Sequence, residues 1–256
     1  MNVLRFSVEG DFAHFRKPFS NISRLTYLIP PKMTIGGMLA GIMGMERDSY
    51  YEKFTTENFL LSVVPEKSLE TTTIPQNLQP TAGFNNINSR GGGPSIGLIR
   101  SQQSYKRRIF EYVVNPKYTI YVHIEDNMLF EKLYESLNSE EYVYTPNLGI
   151  EKCLANISEV QRVTVSDPEE SDSCRIRSPV SDLQSVVNVS NKSIQLEKIT
   201  RSFTIGESNR GLDQRISEEF LKYQFDSHGE GLDVHIDNYD GEGVLKDVGD
   251  EVVEFY

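Results

Sequence analysis

Residues 108–137 read RIFEYVVNPKYTIYVHIEDNMLFEKLYESL, and this stretch decides the fold of the first half of the chain. Apolar-rich runs at 108–114 and 118–124 are typical of strands, and the Asn-Pro-Lys sequence at 115–117 is a turn signal. Asp126 is placed to cap a helix whose apolar side chains recur at helical spacing, namely Phe130, Leu133, Tyr134 and Leu137. The stretch therefore predicts two strands joined by a turn and followed by an amphipathic helix.

The residues upstream predict a strand, a helix and a second strand. Alternation over 3–9 indicates a half-buried strand, and the apolar run at 58–65 indicates a buried one. Between them, apolar side chains at helical spacing predict a helix over 34–44 that Thr34 caps. The order β-α-β then β-β-α predicts an α+β fold, with a ferredoxin-like (RRM-type) sheet that carries an extended hairpin.

One face of the helix at 34–44 consists of small residues, namely Gly36, Gly37, Ala40, Gly41 and Gly44. Each interior glycine costs on the order of 1 kcal/mol of helix stability relative to alanine, so the face needs a compensating reason. One interpretation is the close approach of a backbone or ligand, including a phosphate at the helix N-terminus. The other is tight packing of the helix on the sheet.

After residue 140 the pattern loosens and predicts a smaller, β-rich C-terminal part. A helix is expected over 212–225, and strands are expected at 159–166, 183–189, 194–205 and 244–255. We therefore divide the chain into a domain at 1–157 and an acidic, β-rich part at 158–256.

Charge is distributed unevenly along the chain, which has 26 Lys and Arg against 37 Asp and Glu, a net charge of −11. Residues 1–125 hold 14 against 10, a net +4, whereas residues 126–256 hold 12 against 27, a net −15. This asymmetry suggests a basic working half and an acidic remainder, the latter suited to high salt or to a basic partner. An acidic surface with chance clustering remains the alternative.

Composition excludes several functional classes. No window approaches the roughly 20 apolar residues of a membrane span, so we expect a soluble, cytoplasmic protein without membrane contact. Cys153 and Cys174 lack the spacing of zinc ligands and are expected to be buried or inert thiols, with a disulfide as the alternative. The four histidines are scattered, so no metal or other cofactor is expected. The cluster GGGPSIG at 91–97 lacks the Gly-Lys-Ser/Thr ending of a phosphate-binding loop.

Two segments, 12–45 and 71–110, contain no carboxylate. The second lies within about forty residues that fit no core element, and such an insert is usually functional or disordered. Both segments combine cations with polar or aromatic residues, and single-stranded nucleic acid requires cations for phosphates and rings for base stacking. The predicted RNA-binding residues are Arg16, Lys17, Arg24, Tyr27, Lys32, Thr34, Gly37, Arg90, Arg100, Lys106, Arg107 and Arg108.

A catalytic function is the alternative to simple binding. His14, Tyr27 and Lys106 could assemble a metal-independent RNA cleavage site, and His123 lies in a predicted strand. The sequence contains no serine-protease order, zinc-protease motif or paired-aspartate metal signature. A lone histidine in a basic loop is more often a phosphate contact than a general base, so we expect a protein that is not an enzyme.

Three stretches resemble the fifth family of CRISPR-associated (Cas) proteins, which are RAMP-superfamily subunits of type I Cascade complexes. These are GDFAHFR (10–16), PPKMTIGGMLAGIMG (30–44) and RIFEYVVNPKYTIYV (108–122), with a weaker fourth, TPNLGIEKCLANI (145–157). The form is closest to the type I-B branch.

The resemblance implies a ferredoxin-like domain with a long β-hairpin thumb near 75–107, and the helix at 34–44 beneath bound RNA. It implies a subunit that grips the 5′ handle of CRISPR RNA and caps the effector in antiviral defence. The implied partners are CRISPR RNA, the Cascade backbone subunit and the Cascade large subunit, with target DNA as a further candidate. One branch of the family cleaves precursor RNA; this sequence resembles the other branch, where a separate nuclease does so.

Overall fold

The computed structural model describes residues 1–19, 23–78, 106–168, 173–187, 193–207, 213–236, 239–249 and 251–256. The helices among them are α1 (Lys32–Ile42) and α2 (Asn127–Ser139). The strands are β1 (Asn2–Glu9), β2 (Phe12–Ala13), β3 (Phe15–Arg16), β4 (Thr26–Tyr27), β5 (Phe59–Pro65), β6 (Glu70–Leu78), β7 (Lys106–Val114), β8 (Lys117–Ile124), β9 (Asn156–Thr164), β10 (Ser173–Ile176), β11 (Val186–Val187), β12 (Ile194–Glu207), β13 (Asp213–Asp226), β14 (Leu232–His235), β15 (Val244–Asp247) and β16 (Val252–Phe255). This content confirms the α+β class.

The first sheet is antiparallel, with the strand order β5-β8-β1-β9. The strands predicted at 3–9, 58–65 and 118–124 are confirmed. Alternation in β1 sends Leu4, Phe6 and Val8 into the main core, where they join side chains of both helices. Because side chains on a strand alternate between faces, Val3 points to the opposite side of the sheet.

The two helices begin differently from each other. Asp126 caps α2 as predicted, because its carboxylate accepts hydrogen bonds from the N–H groups of Met128 at 2.8 Å and Leu129 at 3.3 Å. The prediction that Thr34 caps α1 is wrong. The helix starts at Lys32, after Pro31, whose φ of −60° leads into a helix without a capping side chain.

Strand β6 occupies part of the interval in which the sequence indicated no core element. It pairs with β7 from Glu70 opposite Val114 to Leu78 opposite Lys106, and β2 pairs on the other edge of β7. The paired ends lead into residues 79–105, so the predicted thumb at 75–107 has its base among the described residues. The remainder of that prediction lies outside them.

The C-terminal part forms a second sheet, with the strand order β11-β14-β10-β16-β15. It covers the face of the first sheet that points away from the helices. Val3 and Tyr121 on that face form an apolar cluster with Val253 and Phe255 of the C-terminal part. The Tyr121 hydroxyl also donates a hydrogen bond to the Glu251 carboxylate at 3.1 Å. The first sheet is therefore buried on both faces.

The prediction of a helix at 212–225 is wrong, because these residues form β13, which pairs with β12 as a two-stranded ribbon. Leu221, Tyr223 and Phe225 alternate into the main core beside Ile199 of β12. Pairing with β12 and burial of these side chains thus favour a strand, although the spacing of the apolar residues predicted a helix.

The other C-terminal predictions have mixed outcomes. The strand predicted at 159–166 is confirmed as β9, and the strand predicted at 194–205 is confirmed as β12. The prediction at 244–255 corresponds to two strands, β15 and β16. Of the strand predicted at 183–189, Val186–Val187 form β11, residues 183–185 are not in a strand, and residues 188–189 lie outside the described residues. The sequence did not indicate β10 or β14. The domain division at residue 157 stays a prediction; β9 spans that point.

Both cysteines are free thiols. Among the described residues, no helix combines the length and apolar character that crossing a membrane requires.

Candidate nucleic-acid interface

Arg24 lies directly beside β7 at the base of the β6–β7 hairpin. Its N–H donates to the carbonyl of Ile109 at 2.9 Å, and its carbonyl accepts from the N–H of Glu111 at 2.9 Å. These bonds place the Arg24 guanidinium over the ring of Phe110, 5.2 Å from the ring centre. The contact is a cation–π pair on the face of the strand that also carries Arg108.

The charges of Arg16 and Arg108 act on Arg24 at this point, and we call Arg16, Arg24 and Arg108 the arginine cluster. Burial lowers the pKa of Arg24, and the positive charges of Arg16 and Arg108 lower it further. The Nε atom of Arg24 is buried and has no hydrogen-bond partner among the described residues. The cluster is therefore a site of concentrated positive charge that a bound anion would stabilise.

Three further exposed residues lie in the chain segments that carry Arg16 and Arg108. Arg107 is exposed. Its side chain lies on the opposite face of β7 from that of Arg108, because neighbouring strand residues alternate between faces. Phe19 is 67 % exposed and Phe12 is 37 % exposed, so both rings of this segment are available for contact. Arg90 and Arg100 lie outside the described residues, and of Lys106 only the backbone is described, as the first residue of β7.

Two of the predicted RNA-binding residues make contacts within the chain instead, namely Lys17 and Tyr27. Lys17 Nζ lies 2.8 Å from Glu197 Oε1 and 5.2 Å from the ring centre of Tyr27. The Tyr27 side chain is 2 % exposed, and its hydroxyl donates to the carbonyl of Lys198 at 2.8 Å. Burial, and then the charge of Glu197, raise the pKa of Tyr27 to about 12. A ring enclosed in this way cannot stack on a base in this conformation.

Lys32 is also buried, with 1 % of its surface exposed and its Nζ 5.6 Å from the ring centre of Phe59. Pro31 and Met33 beside it are buried as well. The side chains of residues 31–33 are therefore buried, and the structure does not place Lys32 with the arginine cluster.

Thr34 and Gly37 line an open cleft of about 540 Å³ above α1. The cleft walls include Arg47, Tyr51 and Tyr144. At Gly41 an added methyl group would meet only the Cβ of Tyr144, at an ordinary 3.8 Å, so the helix surface is open there. The cleft is also lined by Glu46 and Asp48, and Arg47 Nε lies 3.3 Å from Asp48 Oδ2, so its one guanidinium is paired with a carboxylate.

Two glycines of α1 are explained by packing within the chain. A methyl group on Gly37 would lie 2.8 Å from the Tyr50 hydroxyl, and one on Gly36 would lie 3.3 Å from Phe54. Aromatic side chains of the following segment thus pack closely against both glycines. This supports the packing interpretation at Gly36 and Gly37.

His14 is enclosed between aromatic rings, with 1 % of its surface exposed. Its Nδ1 lies 2.7 Å from the carbonyl of Glu111, which can only accept, so Nδ1 carries the proton. Burial lowers the pKa of His14, and Arg24 and Arg16 lower it further, against the opposing effect of the backbone hydrogen bond. The ring is therefore neutral at physiological pH.

His123 lies elsewhere, near the end of β8, which is an inner strand of the first sheet. Its Nδ1 is 2.7 Å from the carbonyl of Asn2, and its Nε2 is 3.5 Å from Glu125. The structure does not bring it to the arginine cluster.

Comparison with known families identifies the chain. The family described as CRISPR-associated protein (Cas_Cas5) matches residues 3–188, which is most of the length. The chain belongs to the Cas5 family. The resemblance carried by the three sequence stretches is thus confirmed.

Solved structures share the fold of this Cas5-family chain. A CRISPR protein from Archaeoglobus fulgidus is 11 % identical, with a TM-score of 0.57, and the match covers 100 % of this chain and 99 % of that one. A chain of the type III-B Cmr-beta complex bound to cognate target RNA and AMPPnP is 11 % identical, with a TM-score of 0.50 and coverage of 98 % and 99 %. No curated protein matches the sequence. At these identities the likeness concerns the fold.

Sequence reasoning did not indicate several residues at the interface of this Cas5-family chain. Phe110 was assigned only to a strand, yet its ring supports Arg24. Tyr51 and Tyr144 line the cleft from two distant segments. Their only sequence signal was aromatic content near glycines. Glu197, which neutralises Lys17, has no local signal because it lies 180 residues away.

Proposed function

We propose that this protein is a non-catalytic, RNA-binding subunit of a type I CRISPR effector, of the Cascade type and closest to the I-B branch. In this role it holds the 5′ handle of CRISPR RNA and caps one end of the complex. The observation that carries the proposal is the arginine cluster of Arg16, Arg24 and Arg108 at the base of the β6–β7 hairpin.

The chemistry of the cluster fits an RNA backbone. Arg16, Arg24 and Arg108 form no ion pair with a carboxylate among the described residues, so their charge is available to phosphates. Guanidinium groups bind phosphate oxygens bidentately and keep their charge at physiological pH. Exposed Phe12 and Phe19 supply rings on which unpaired bases can stack. Cations beside rings are what a single strand requires.

The arrangement of the first sheet supports a ferredoxin-like assignment and restricts where RNA can bind. The order β5-β8-β1-β9, with α1 after β1 and α2 after β8, is the order expected of a β-α-β-β-α-β unit. RRM-type domains stack bases on the open face of such a sheet. Here that face is covered by the C-terminal part, so we assign RNA binding to the hairpin base and the cleft above α1.

The interior positions of the candidate catalytic side chains favour a binding role over cleavage. His14 is enclosed and bound to a backbone carbonyl, and the Tyr27 hydroxyl donates to another. A general base must reach the proton it removes, and neither group is exposed to a substrate in this conformation. We therefore propose that a separate nuclease processes the precursor RNA.

Family membership supports the proposed partners. Cas5-family membership and a fold shared with a chain of an RNA-bound Cmr complex favour a role within a CRISPR effector. We propose CRISPR RNA, the Cascade backbone subunit and the Cascade large subunit as partners in the cytoplasm, with target DNA as a further candidate.

The test is purification of the tagged protein from its native cell, followed by sequencing of the bound RNA. Wild type and a K132E/K152E control, which changes two exposed lysines that are not part of the cluster, should both recover CRISPR RNA. An R16E/R108E variant should recover much less. Equal recovery by R16E/R108E would overturn the proposed site. In parallel, precursor repeat RNA incubated with the protein in EDTA should stay intact; a specific product would show a metal-independent nuclease instead.

A further inference from the structure

The outer face of the β12–β13 ribbon combines two lysines with two apolar side chains. Ile199, Leu221 and Tyr223 point into the main core. Because strand residues alternate, the neighbouring positions point outward. Leu196 is 61 % exposed and Phe220 is 40 % exposed, and Lys198 and Lys222 are exposed beside them. We call these four residues the ribbon face.

The lysines of the ribbon face are held close together by the register of the strands. Lys198 is directly opposite Lys222, and its Nζ lies 4.7 Å from the ring centre of Phe220, the diagonal neighbour. Like charges at directly opposed positions destabilise a strand pair. An anion bound between the two ammonium groups would therefore relieve this repulsion.

The charge of the ribbon face contrasts with its surroundings. Residues 126–256 contain 12 Lys and Arg against 27 Asp and Glu. Both charged members of the ribbon face are lysines, and Asp226, further along the same side of β13, is only 3 % exposed. A cation pair on an otherwise acidic half indicates a negatively charged ligand, and the exposed ring of Phe220 offers a surface for a flat group.

The ribbon face belongs to a segment fixed to the candidate RNA interface. Glu197 pairs with Lys17, the neighbour of Arg16, and the Lys198 carbonyl accepts the hydrogen bond of Tyr27. Adjacent residues of β12 thus connect to adjacent residues of the β3 segment. A polyanion held at one surface would be positioned relative to the other.

We propose that the ribbon face is a second binding site for single-stranded nucleic acid, separate from the arginine cluster. Lys198 and Lys222 contact phosphates, and Phe220 stacks on one base with Leu196 against its edge. Lysine and aromatic contacts of this kind do not depend on the sugar, so the site takes RNA and DNA alike. An acidic protein segment is the competing occupant.

The test measures binding of fluorescent oligothymidylate and oligouridylate of about ten nucleotides to the full-length protein across a range of salt. In a K198E/K222E variant, the slope of log affinity against log salt should decrease in magnitude by about 1.4, the value for two phosphates of a single strand. A K132E/K152E control, with the same change in net charge, should bind as wild type does.

A second variant distinguishes binding of nucleic acid from binding of a protein partner. F220A should lower the affinity about fivefold or more with an unchanged salt slope, because a base loses its stacking surface. Circular dichroism checks the fold of each variant, and K198Q/K222Q replaces the charge reversal if that variant does not fold. Binding by K198E/K222E and F220A equal to that of the control would overturn the site. The site would also be overturned if polyglutamate, but not oligonucleotides, bound to the protein in a way that depends on these lysines.

The outcome is independent of the proposed handle binding. R16E/R108E should lose binding of handle RNA and keep the oligothymidylate site, whereas K198E/K222E should do the reverse. Loss of both activities in either variant would contradict two separate sites.

Discussion

Lys17 Nζ lies 2.8 Å from Glu197 Oε1, and this ion pair joins segments 180 residues apart in the sequence. Glu197 is 8 % exposed and also accepts a hydrogen bond from the N–H of Leu28 at 3.3 Å. The pair fixes the β12–β13 ribbon to the N-terminal segment. Because one partner is almost fully buried, removing the other leaves a charge with little solvation.

We expect K17M to lower the free energy of unfolding by about 2 kcal/mol near neutral pH, below the range for fully buried pairs because Lys17 retains some solvent contact. Urea unfolding monitored by fluorescence or circular dichroism measures the difference. The K17M/E197Q double variant is the control. It should recover most of the loss, since no isolated charge remains; a double variant as unstable as K17M would contradict the explanation.

The same variant should show a defined pH dependence. Burial raises the pKa of Glu197 from its usual 4.5, and Lys17 opposes that increase. Without Lys17 the folded-state pKa rises further, so the native state binds a proton more tightly than the unfolded chain. The destabilisation of K17M should therefore be largest above the folded-state pKa and decrease as the pH falls towards the unfolded value. A penalty that stayed constant or grew on acidification would contradict this assignment.

Gly149 lies in the wall of the cleft, and both its backbone conformation and its close neighbours favour glycine there. Its φ is +95°, and a methyl group there would lie 2.2 Å from the carbonyl oxygen of His14. Gly249 has a similar φ of +97° with nothing within 4 Å. We expect G149A to cost about 3 kcal/mol and G249A about 1 kcal/mol, because only the first adds a collision to the backbone strain. Thermal unfolding of the pair measures this; equal losses would show that the contact with His14 relaxes freely.

The thiol of Cys153 should be unreactive in the native protein. Its side chain is 2 % exposed, and burial raises the pKa of the thiol to about 11. The reactive thiolate is therefore scarce at pH values near 8. In a C174S variant, Ellman's reagent should label Cys153 only after denaturant is added. Rapid labelling of the folded C174S variant would mean that this part of the core opens readily.

The sequence allowed prediction of the elements with strong local periodicity. The strand at 3–9, the turn at 115–117 and the Asp126 cap depend on neighbouring residues, so local pattern was sufficient. The segment at 212–225 has apolar residues at spacings that fit both a helix and a strand. Pairing with β12 decides between them, and that contact is not visible locally.

The candidate site could be predicted only as a list of cations, without their surroundings. Arg16, Arg24 and Arg108 were all named, but their meeting depends on pairing of the Arg24 segment with β7. The same list included Lys17 and Lys32, which long-range contacts enclose. Which cation remains exposed is a property of the tertiary structure, so residue type alone could not separate the two groups.

The proposed function depends on binding of the phosphates of the CRISPR RNA handle by the arginine cluster. The most direct test is a titration of labelled handle RNA with wild type, R16E/R108E and the K132E/K152E control between about 50 and 200 mM salt. We expect an affinity about tenfold or more lower for R16E/R108E alone, with a salt slope smaller in magnitude by about 1.4. An affinity and a slope for R16E/R108E equal to those of the control would contradict it.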